Sequence, residues 1–174
     1  MKRPPRHHPG FTLTELLVVI AIIATLGGIA FAVGKPMIAR SRQAACLNQL
    51  RSIGTALEGY LQDHNQFLPS LAAGRSSKTE DLPVLDTLLK PYLENEDAFH
   101  CPQDGVQFAK SGSSYLWNST QSGKHITKLE FLTISDRPDR IPLVTDKESW
   151  HPAGTNFLYA DRSSTSQVRF AAEN

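Results

Sequence analysis

The most apolar stretch of the chain lies near its amino end. The 19 residues from Leu16 to Gly34 carry no charge. As a helix that rises about 1.5 Å per residue, such a stretch is about 28 Å long, close to the roughly 30 Å of a bilayer's hydrocarbon layer. A core helix of a small soluble protein usually keeps a polar stripe, and this stretch has none. The pattern therefore predicts a membrane-spanning helix.

A second pattern follows Pro36, which is expected to kink or locally open a continuing helix. Apolar residues recur three or four positions apart at Leu47, Leu50, Ile53, Leu57 and Leu61. This spacing is typical of an amphipathic helix with one buried face. We expect the helix to end near Asn65, before Pro69.

The rest of the chain changes to short runs bounded by turn residues. Asp81-Leu82-Pro83 predicts the start of a short helix with Asp81 as its N-cap, and Leu85, Leu88 and Leu89 give it an apolar stripe. Five later runs predict strands, at 113–118, 126–134, 141–146, 156–161 and 166–171. The predicted fold class is α+β, a long amino-terminal helix packed on a small antiparallel sheet domain.

Composition narrows the function only slightly. The chain has 174 residues, enough for one small domain with its own core, and a net charge of +1 that gives no indication of a nucleic-acid partner. Its two cysteines, Cys46 and Cys101, form no C-x-x-C pair and so carry no zinc-ribbon or redox signature. G-x-S-x-G, H-E-x-x-H and glycine-rich phosphate-loop patterns are absent, so catalysis has little support.

The carboxylate of Glu15, just before the apolar run, decides between two kinds of segment. A secretory signal with the A-x-A cleavage site Ala30-Phe31-Ala32 is one alternative, and a membrane anchor cut before the apolar run is the other. A charge disfavours insertion by roughly 2.5–3.5 kcal/mol at full depth. Glu15 therefore calls for a partner, which a secretory signal does not supply.

Gly10-Phe11-Thr12-Leu13-Thr14-Glu15, followed by the apolar span, resembles the leader of type IV prepilins. The resemblance implies that prepilin peptidase cuts between Gly10 and Phe11 on the cytoplasmic side and methylates the new amino terminus at Phe11. It also implies that Glu15 of an incoming subunit meets the Phe11 amine of a neighbour. A buried charge is costly alone and tolerable when paired, so this pair would set the register of assembly.

The resemblance implies a domain organisation as well. Residues 1–10 would be the leader, 11–65 the long helix with its transmembrane part at 11–35, and 66–174 a globular pilin-like domain. The protein would be a structural subunit of a type IV pilus or a type II secretion pseudopilus, not an enzyme. It would sit in the bacterial inner membrane as a single-pass protein with an extracytoplasmic carboxy-terminal domain, and pass into a fibre. Its partners would be prepilin peptidase and other pilin or pseudopilin subunits.

Three further segments resemble one bacterial branch of the pilin-like family. They are the helix end that starts at Cys46, the Cys101-Pro102 segment, and a His-x-x-Gly-x-Asn-x-x-x-Ala-Asp hairpin from His151 to Asp161. The family usually continues with Gly-His after this aspartate, whereas this chain has Arg162-Ser163. Any role carried by that turn is therefore open.

Several polar residues are candidates for binding. Cys46 and Cys101 would form a disulfide outside the cytoplasm, worth roughly 4–5 kcal/mol on the chain-entropy model, or remain two buried thiols. No cofactor is expected, and a zinc set of His100, Cys101, His125 and His151 is too scattered to be favoured. Major pseudopilins often hold calcium in a carboxy-terminal loop, which makes Asp146, Asn156 and Asp161 weak candidates, although turn-capping is the commoner role of such residues.

Two other functions remain open at this point. The chain can be a membrane-anchored extracytoplasmic binding or adhesion module, in which Tyr115, Trp117 and Trp150 stack on sugars, although buried packing is the commoner role of such aromatics. It can also be a secretory protein cleaved after Ala32.

Overall fold

The computed structural model describes residues 11–93 and 95–171, and for residues 30–34 and 96 the backbone alone. The predicted leader, 1–10, lies outside the described residues, and so does Gly10, the predicted cleavage site. The chain divides into two compact units, one that ends at Ile38 and one that begins at Ala39.

Helix α1, Leu13–Asp63, is the longest element and runs through both units. It continues through Pro36, and the kink or local opening expected at this residue stays a prediction. It ends two residues before the predicted Asn65, because Asn65 and Gln66 adopt left-handed backbone angles, with φ of 51° and 65°. The Gln66 N–H then turns back to the Leu61 carbonyl at 2.8 Å.

The predicted transmembrane part, 11–35, includes residues 30–34, whose side chains are not among those described. Among the described residues, no helical stretch has both the length and the apolar character needed to cross a bilayer.

The carboxy-terminal unit contains a four-stranded antiparallel sheet. Its strands are β1 (Tyr115–Trp117), β4 (Pro142–Asp146), β5 (Phe157–Tyr159) and β6 (Ser164–Thr165), in the order β1-β4-β5-β6. A separate hairpin pairs β2 (Glu130–Phe131) with β3 (Ile134–Ser135). The long helix and small antiparallel sheet confirm the predicted α+β class.

The other elements are short. Helices α2 and α3 span Leu85–Leu88 and Gln107–Ser111. Single 3₁₀ turns occupy Lys90–Tyr92, Glu96–Phe99, Ser119–Gln121, Ile126–Lys128 and Pro138–Arg140.

The core lies between the second half of α1 and the sheet. Four of the five residues predicted for the apolar face of α1 are buried, namely Leu50, Ile53, Leu57 and Leu61, and Leu47 is half-buried. They belong to one cluster with Trp117 of β1, Leu143 of β4 and Leu158 of β5. The predicted amphipathic face is therefore confirmed, and it fixes which side of the helix meets the sheet.

Three of the five predicted strands are confirmed as β1, β4 and β5. The run at 126–134 is confirmed only at β2 and at Ile134 of β3, and the run at 166–171 is wrong. The run at 126–134 is a 3₁₀ turn and a hairpin, because Leu132 takes a left-handed φ of 55° and reverses the chain. The run at 166–171 forms no strand, because the Tyr159 hydroxyl donates to the Gln167 carbonyl at 3.0 Å and accepts from the Arg169 N–H at 2.9 Å.

The predicted helix start at Asp81 is also wrong. The Pro83 carbonyl accepts the Ala72 N–H at 2.9 Å, and α2 begins two residues later, at Leu85. The Thr87 hydroxyl contacts both the N–H and the carbonyl of Val84, at 3.3 and 2.9 Å. The helix start is thus held by a side chain of α2 that binds the backbone of Val84, the N-cap residue.

The carboxylate of Asp104 holds the start of α3. It accepts the backbone N–H groups of Val106, Gln107 and Phe108 at 2.8, 2.6 and 2.7 Å, and the Ser114 hydroxyl at 2.6 Å. Burial alone would raise the pKa of the Asp104 carboxyl, but these four hydrogen bonds favour the ionised form and hold its pKa below the ordinary value.

We predict that Asp104→Asn lowers the free energy of unfolding by about 1–3 kcal/mol at pH 7, because hydrogen bonds to a charged group are lost. Since the folded pKa is depressed, this stabilisation is present above the unfolded pKa near 3.9 and is lost as pH falls through the folded value. Urea unfolding, followed by tryptophan fluorescence at pH 7 and at pH 3, measures the loss in free energy of unfolding and its dependence on pH. Asp81→Asn, at an exposed aspartate, is the control, and an equal Asp104→Asn deficit at both pH values contradicts this account.

Candidate functional site

The amino-terminal segment presents a continuous apolar surface. Every described side chain from Phe11 to Ile29 is exposed, including Phe11 at 77% and Leu13 at 79%. Contiguous exposed apolar surface of this extent marks a site of contact with another protein or a membrane. Glu15 is the one charged residue among positions 11 to 29.

Glu15 takes part in a capping box at the start of α1. The Thr12 N–H and the Thr12 hydroxyl donate to Glu15 Oε2 at 2.9 and 2.6 Å, and the Glu15 N–H donates to Thr12 Oγ1 at 3.3 Å. This reciprocal arrangement satisfies backbone N–H groups that a helix start otherwise leaves without partners. Thr12 is a functional residue that our sequence analysis missed, although T-x-x-E before an apolar run is a known signal for it.

The cap leaves the carboxylate able to bind a second group. Both hydrogen bonds from Thr12 go to Glu15 Oε2. A carboxylate offers two oxygens with about four acceptor positions. Glu15 Oε1 can therefore accept a donor from outside the chain while the cap stays in place.

A disulfide joins Cys46 of α1 to Cys101, which follows the 3₁₀ turn Glu96–Phe99. The two Cα atoms are 5.0 Å apart, the residues are 55 positions apart in the chain, and both are fully buried. The bond ties the long helix to a loop beside the sheet.

A buried polar cluster surrounds this bond. His151 Nε2 lies 3.5 Å from Cys101 Sγ and 3.4 Å from Asp146 Oδ2. Asp146 Oδ2 also accepts the Asn156 N–H at 2.7 Å, and the Asn156 side-chain oxygen accepts from Gln43 of α1 at 3.3 Å. Residues far apart in sequence thus meet where the helix crosses the end of β4.

The structure brings together some of the predicted binding residues and separates others. Asp146 and Asn156 of the calcium candidates are buried neighbours, whereas Asp161 is exposed and contacts Ser163 and Arg169. Calcium binding at these residues stays a prediction.

Of the four zinc candidates, Cys101 and His151 are in contact. His100 stacks on Phe108, with ring centroids 4.3 Å apart, and His125 caps the 3₁₀ turn at Ile126–Lys128. These two histidines therefore have neighbours of their own, so the set in the form suggested by the sequence is not formed.

Two of the three aromatic candidates are buried and offer no sugar-stacking surface, whereas the third, Trp150, is half-buried. Tyr115 and Trp117 are 1% and 2% exposed, and both belong to the hydrophobic core. The Tyr115 hydroxyl donates to Gln49 of α1 at 3.0 Å, which adds to the contact between helix and sheet.

The turn after β5 keeps the backbone conformation that a glycine would favour. Arg162, at the position where the resemblance expects glycine, has a left-handed φ of 68°. Its guanidinium pairs with Glu58 of α1, and its N–H donates to the Tyr159 carbonyl at 2.8 Å. The substitution thus changes the side chain at this turn but not the left-handed geometry.

Comparison with known protein families gives one finding, and it falls on the amino-terminal segment. Residues 5–31 match the family model described as the prokaryotic N-terminal methylation motif. The chain carries the prepilin-type cleavage and methylation motif. This motif supports a type IV pilin-like or pseudopilin-type protein, and a structural subunit rather than an enzyme. Neither the curated proteins nor the solved structures gave a match to the chain.

We predict that replacing Cys46 and Cys101 by alanine lowers the free energy of unfolding of the carboxy-terminal unit by about 2–5 kcal/mol, because the unfolded chain loses a covalent constraint. Urea unfolding of the oxidised protein, followed by tryptophan fluorescence, measures the free energy of unfolding. Each single substitution removes the same bond and should cost nearly as much as both together. An unchanged unfolding midpoint in the double variant contradicts the prediction.

Proposed function

We propose that this protein is a structural subunit of a type IV pilus or a type II secretion pseudopilus. Prepilin peptidase processes it, and it assembles through its amino-terminal helix. The observation that carries the proposal is the coincidence of the methylation motif at 5–31 with the segment whose apolar side chains, from Phe11 to Ile29, are exposed.

The exposed apolar segment needs an environment other than water. Each large aliphatic side chain that leaves water gains about 1.5–3 kcal/mol. In this proposal residues 11–35 lie in the inner membrane before assembly, with the carboxy-terminal unit on the extracytoplasmic side. In the fibre the same side chains pack against other pilin or pseudopilin subunits. The buried disulfide agrees with an extracytoplasmic location, where such bonds persist.

Glu15 supplies the register in this proposal. Cleavage after Gly10 creates a positive amine on Phe11, four residues before Glu15. A subunit that enters the fibre places its Glu15 carboxylate beside the amine of a neighbour, where each charge offsets the cost of burying the other. A subunit that docks one helical turn out of step leaves both charges unpaired, and that state is disfavoured.

The architecture supports the same role. The carboxy-terminal unit packs its sheet on the part of α1 from Cys46 to Leu61, and the disulfide and the core cluster hold it there. A long helix with a small sheet domain on its second half agrees with the pilin-like arrangement that the resemblance implies, in which the first half of the helix serves assembly. The role needs no cofactor and no catalytic residue.

We predict that the protein isolated from membranes begins at a methylated Phe11. Intact-mass and amino-terminal peptide spectrometry measure the cleavage and the added methyl group together. A chain that begins at Val33 would instead identify a secretory signal cut after Ala32, and a chain that still begins at Met1 would have no amine beside the membrane.

Two substitutions separate the two roles of Glu15. Glu15→Gln keeps an oxygen that can accept from Thr12 but removes the charge, so the amine of the neighbouring subunit is left buried without a partner. Breaking such a pair costs about 3–5 kcal/mol, which should abolish the sheared fibre fraction or secretion. Thr12→Val removes the capping hydroxyl and leaves the charge, at about 0.5–2 kcal/mol, so fibres should persist.

Both variants must be cleaved and retained in the membrane, which the amino-terminal mass and cell fractionation show. If Thr12→Val stops assembly and Glu15→Gln does not, Glu15 acts through the helix cap alone. If neither variant affects fibres or secretion, the protein is not an assembled subunit, and the membrane-anchored binding module becomes the better account.

A further inference from the structure

Three potential metal ligands converge in the buried cluster beside β4, and a carboxylate lies next to one of them. The ligand atoms of Cys46, Cys101 and His151 all lie within 4.8 Å of one another. The carboxylate of Asp146 lies outside this set but next to it, because its Oδ2 is 3.4 Å from His151 Nε2. All four residues are at most 5% exposed, and both cysteines are at 0%.

Two of the distances between these atoms are close to the edges of a tetrahedral zinc site. With Zn–S near 2.3 Å and Zn–N and Zn–O near 2.1 Å, the edges of a tetrahedron are about 3.6 Å for sulfur to nitrogen and about 3.4 Å for nitrogen to oxygen. The distances from His151 Nε2 to Cys101 Sγ and to Asp146 Oδ2 are 3.5 and 3.4 Å. Two edges are thus already close to the required length while the sulfurs are bonded to each other.

The disulfide state leaves this cluster incompletely satisfied. Within the described part of the chain, Asp146 Oδ1, His151 Nδ1 and Asn156 Nδ2 are buried without a hydrogen-bond partner. Buried polar atoms without partners are rare and costly, and a buried carboxylate is most stable beside a cation. A divalent cation bound in this cluster supplies positive charge beside the buried Asp146 carboxylate.

We propose that the reduced chain binds one zinc ion through Cys46, Cys101, His151 and Asp146, and that the metal and the disulfide are alternative cross-links at one place. Thiolate and imidazole donors favour Zn²⁺ over the hard cations Ca²⁺ and Mg²⁺. The site differs from both sets suggested by the sequence, since His100, His125 and Asp161 take no part.

The two states differ in their chemistry. When the disulfide forms, the thiols of Cys46 and Cys101 give two electrons and two protons to an oxidoreductase that carries a disulfide of its own. The disulfide of that oxidoreductase becomes a dithiol. In the metal state no electron moves, and the two thiols release two protons to water as Zn²⁺ binds the thiolates. The sulfurs must then lie about 3.8 Å apart, the sulfur–sulfur edge of the tetrahedron.

Either state ties α1 to the sheet domain, so the chain is cross-linked both before and after its cysteines are oxidised. Until the disulfide forms, the folded chain has no covalent link between α1 and the loop at Cys101, and the zinc ion supplies that link. Oxidation then releases the metal. The inference does not depend on the assembly role of the amino-terminal segment.

The test uses the full chain in detergent micelles, reduced with a phosphine under anaerobic conditions. After addition of Zn²⁺ and removal of the excess, elemental analysis should find one zinc per reduced chain and none per oxidised chain. Bound zinc should also protect both thiols from alkylation. Co²⁺ in place of Zn²⁺ should give the intense bands of a tetrahedral ion with thiolate ligands.

Variants assign the ligands. His151→Ala and Asp146→Asn should each weaken zinc binding by more than the roughly 10- to 100-fold that outer-shell changes cost. His125→Ala, which replaces a histidine outside the cluster, is the matched control and should bind zinc normally. Circular dichroism of each reduced variant checks that the fold is retained.

Two results would overturn the proposal. One is a reduced, folded wild-type chain that takes up no zinc or gives a weak octahedral cobalt spectrum, and this result stands even if His151→Ala does not fold. The other is His151→Ala or Asp146→Asn binding zinc as tightly as the wild type. Equal metal uptake by the oxidised chain would place the ion elsewhere.

Discussion

The uncovered apolar surface between Phe11 and Ile29 is the constraint on which the rest of this account depends. These side chains are exposed in the single chain, and their transfer out of water is strongly favourable. A lipid bilayer and a bundle of identical helices both satisfy that requirement. The chain can therefore pass from one to the other without exposing the segment to water.

In the proposed assembly, Glu15 makes this non-directional attraction specific. Apolar contact alone tolerates many relative positions of two helices, whereas a buried carboxylate requires a partner at a defined place. The Thr12 cap holds one carboxylate oxygen and fixes the direction in which the other can be used. A local helix cap and an intermolecular charge pair are thus compatible functions of one side chain.

Sequence periodicity predicted the parts of the fold that depend on local pattern. The buried face of α1 and the strands β1, β4 and β5 follow from the spacing of apolar residues. The prediction at 126–134 holds only in part, because the left-handed Leu132 reverses the chain within it. The prediction at 166–171 is wrong, because the Tyr159 hydroxyl binds the backbone of Gln167 and Arg169. Periodicity carries no signal for either contact.

The difference between local and long-range contacts also separates the helix cap at Glu15 from the buried cluster at the disulfide. Thr12 and Glu15 are three residues apart, so the cap was available from the sequence as T-x-x-E. The cluster of Cys46, Cys101, Asp146 and His151 was not, because folding alone brings together positions separated by 55 residues at the cysteines. Cys101 and His151 were among the zinc candidates, but they were grouped with His100 and His125, which lie beside other side chains.

The most direct measurement is an electron cryomicroscopy structure of the fibre that contains this protein, at a resolution that shows side chains. The account predicts the Glu15 carboxylate within about 3 Å of the Phe11 amine of an adjacent subunit, as a charge-assisted hydrogen bond requires. The apolar residues that follow should be packed between subunits. A fibre in which Glu15 faces solvent, or contacts only Thr12 of its own chain, would contradict it.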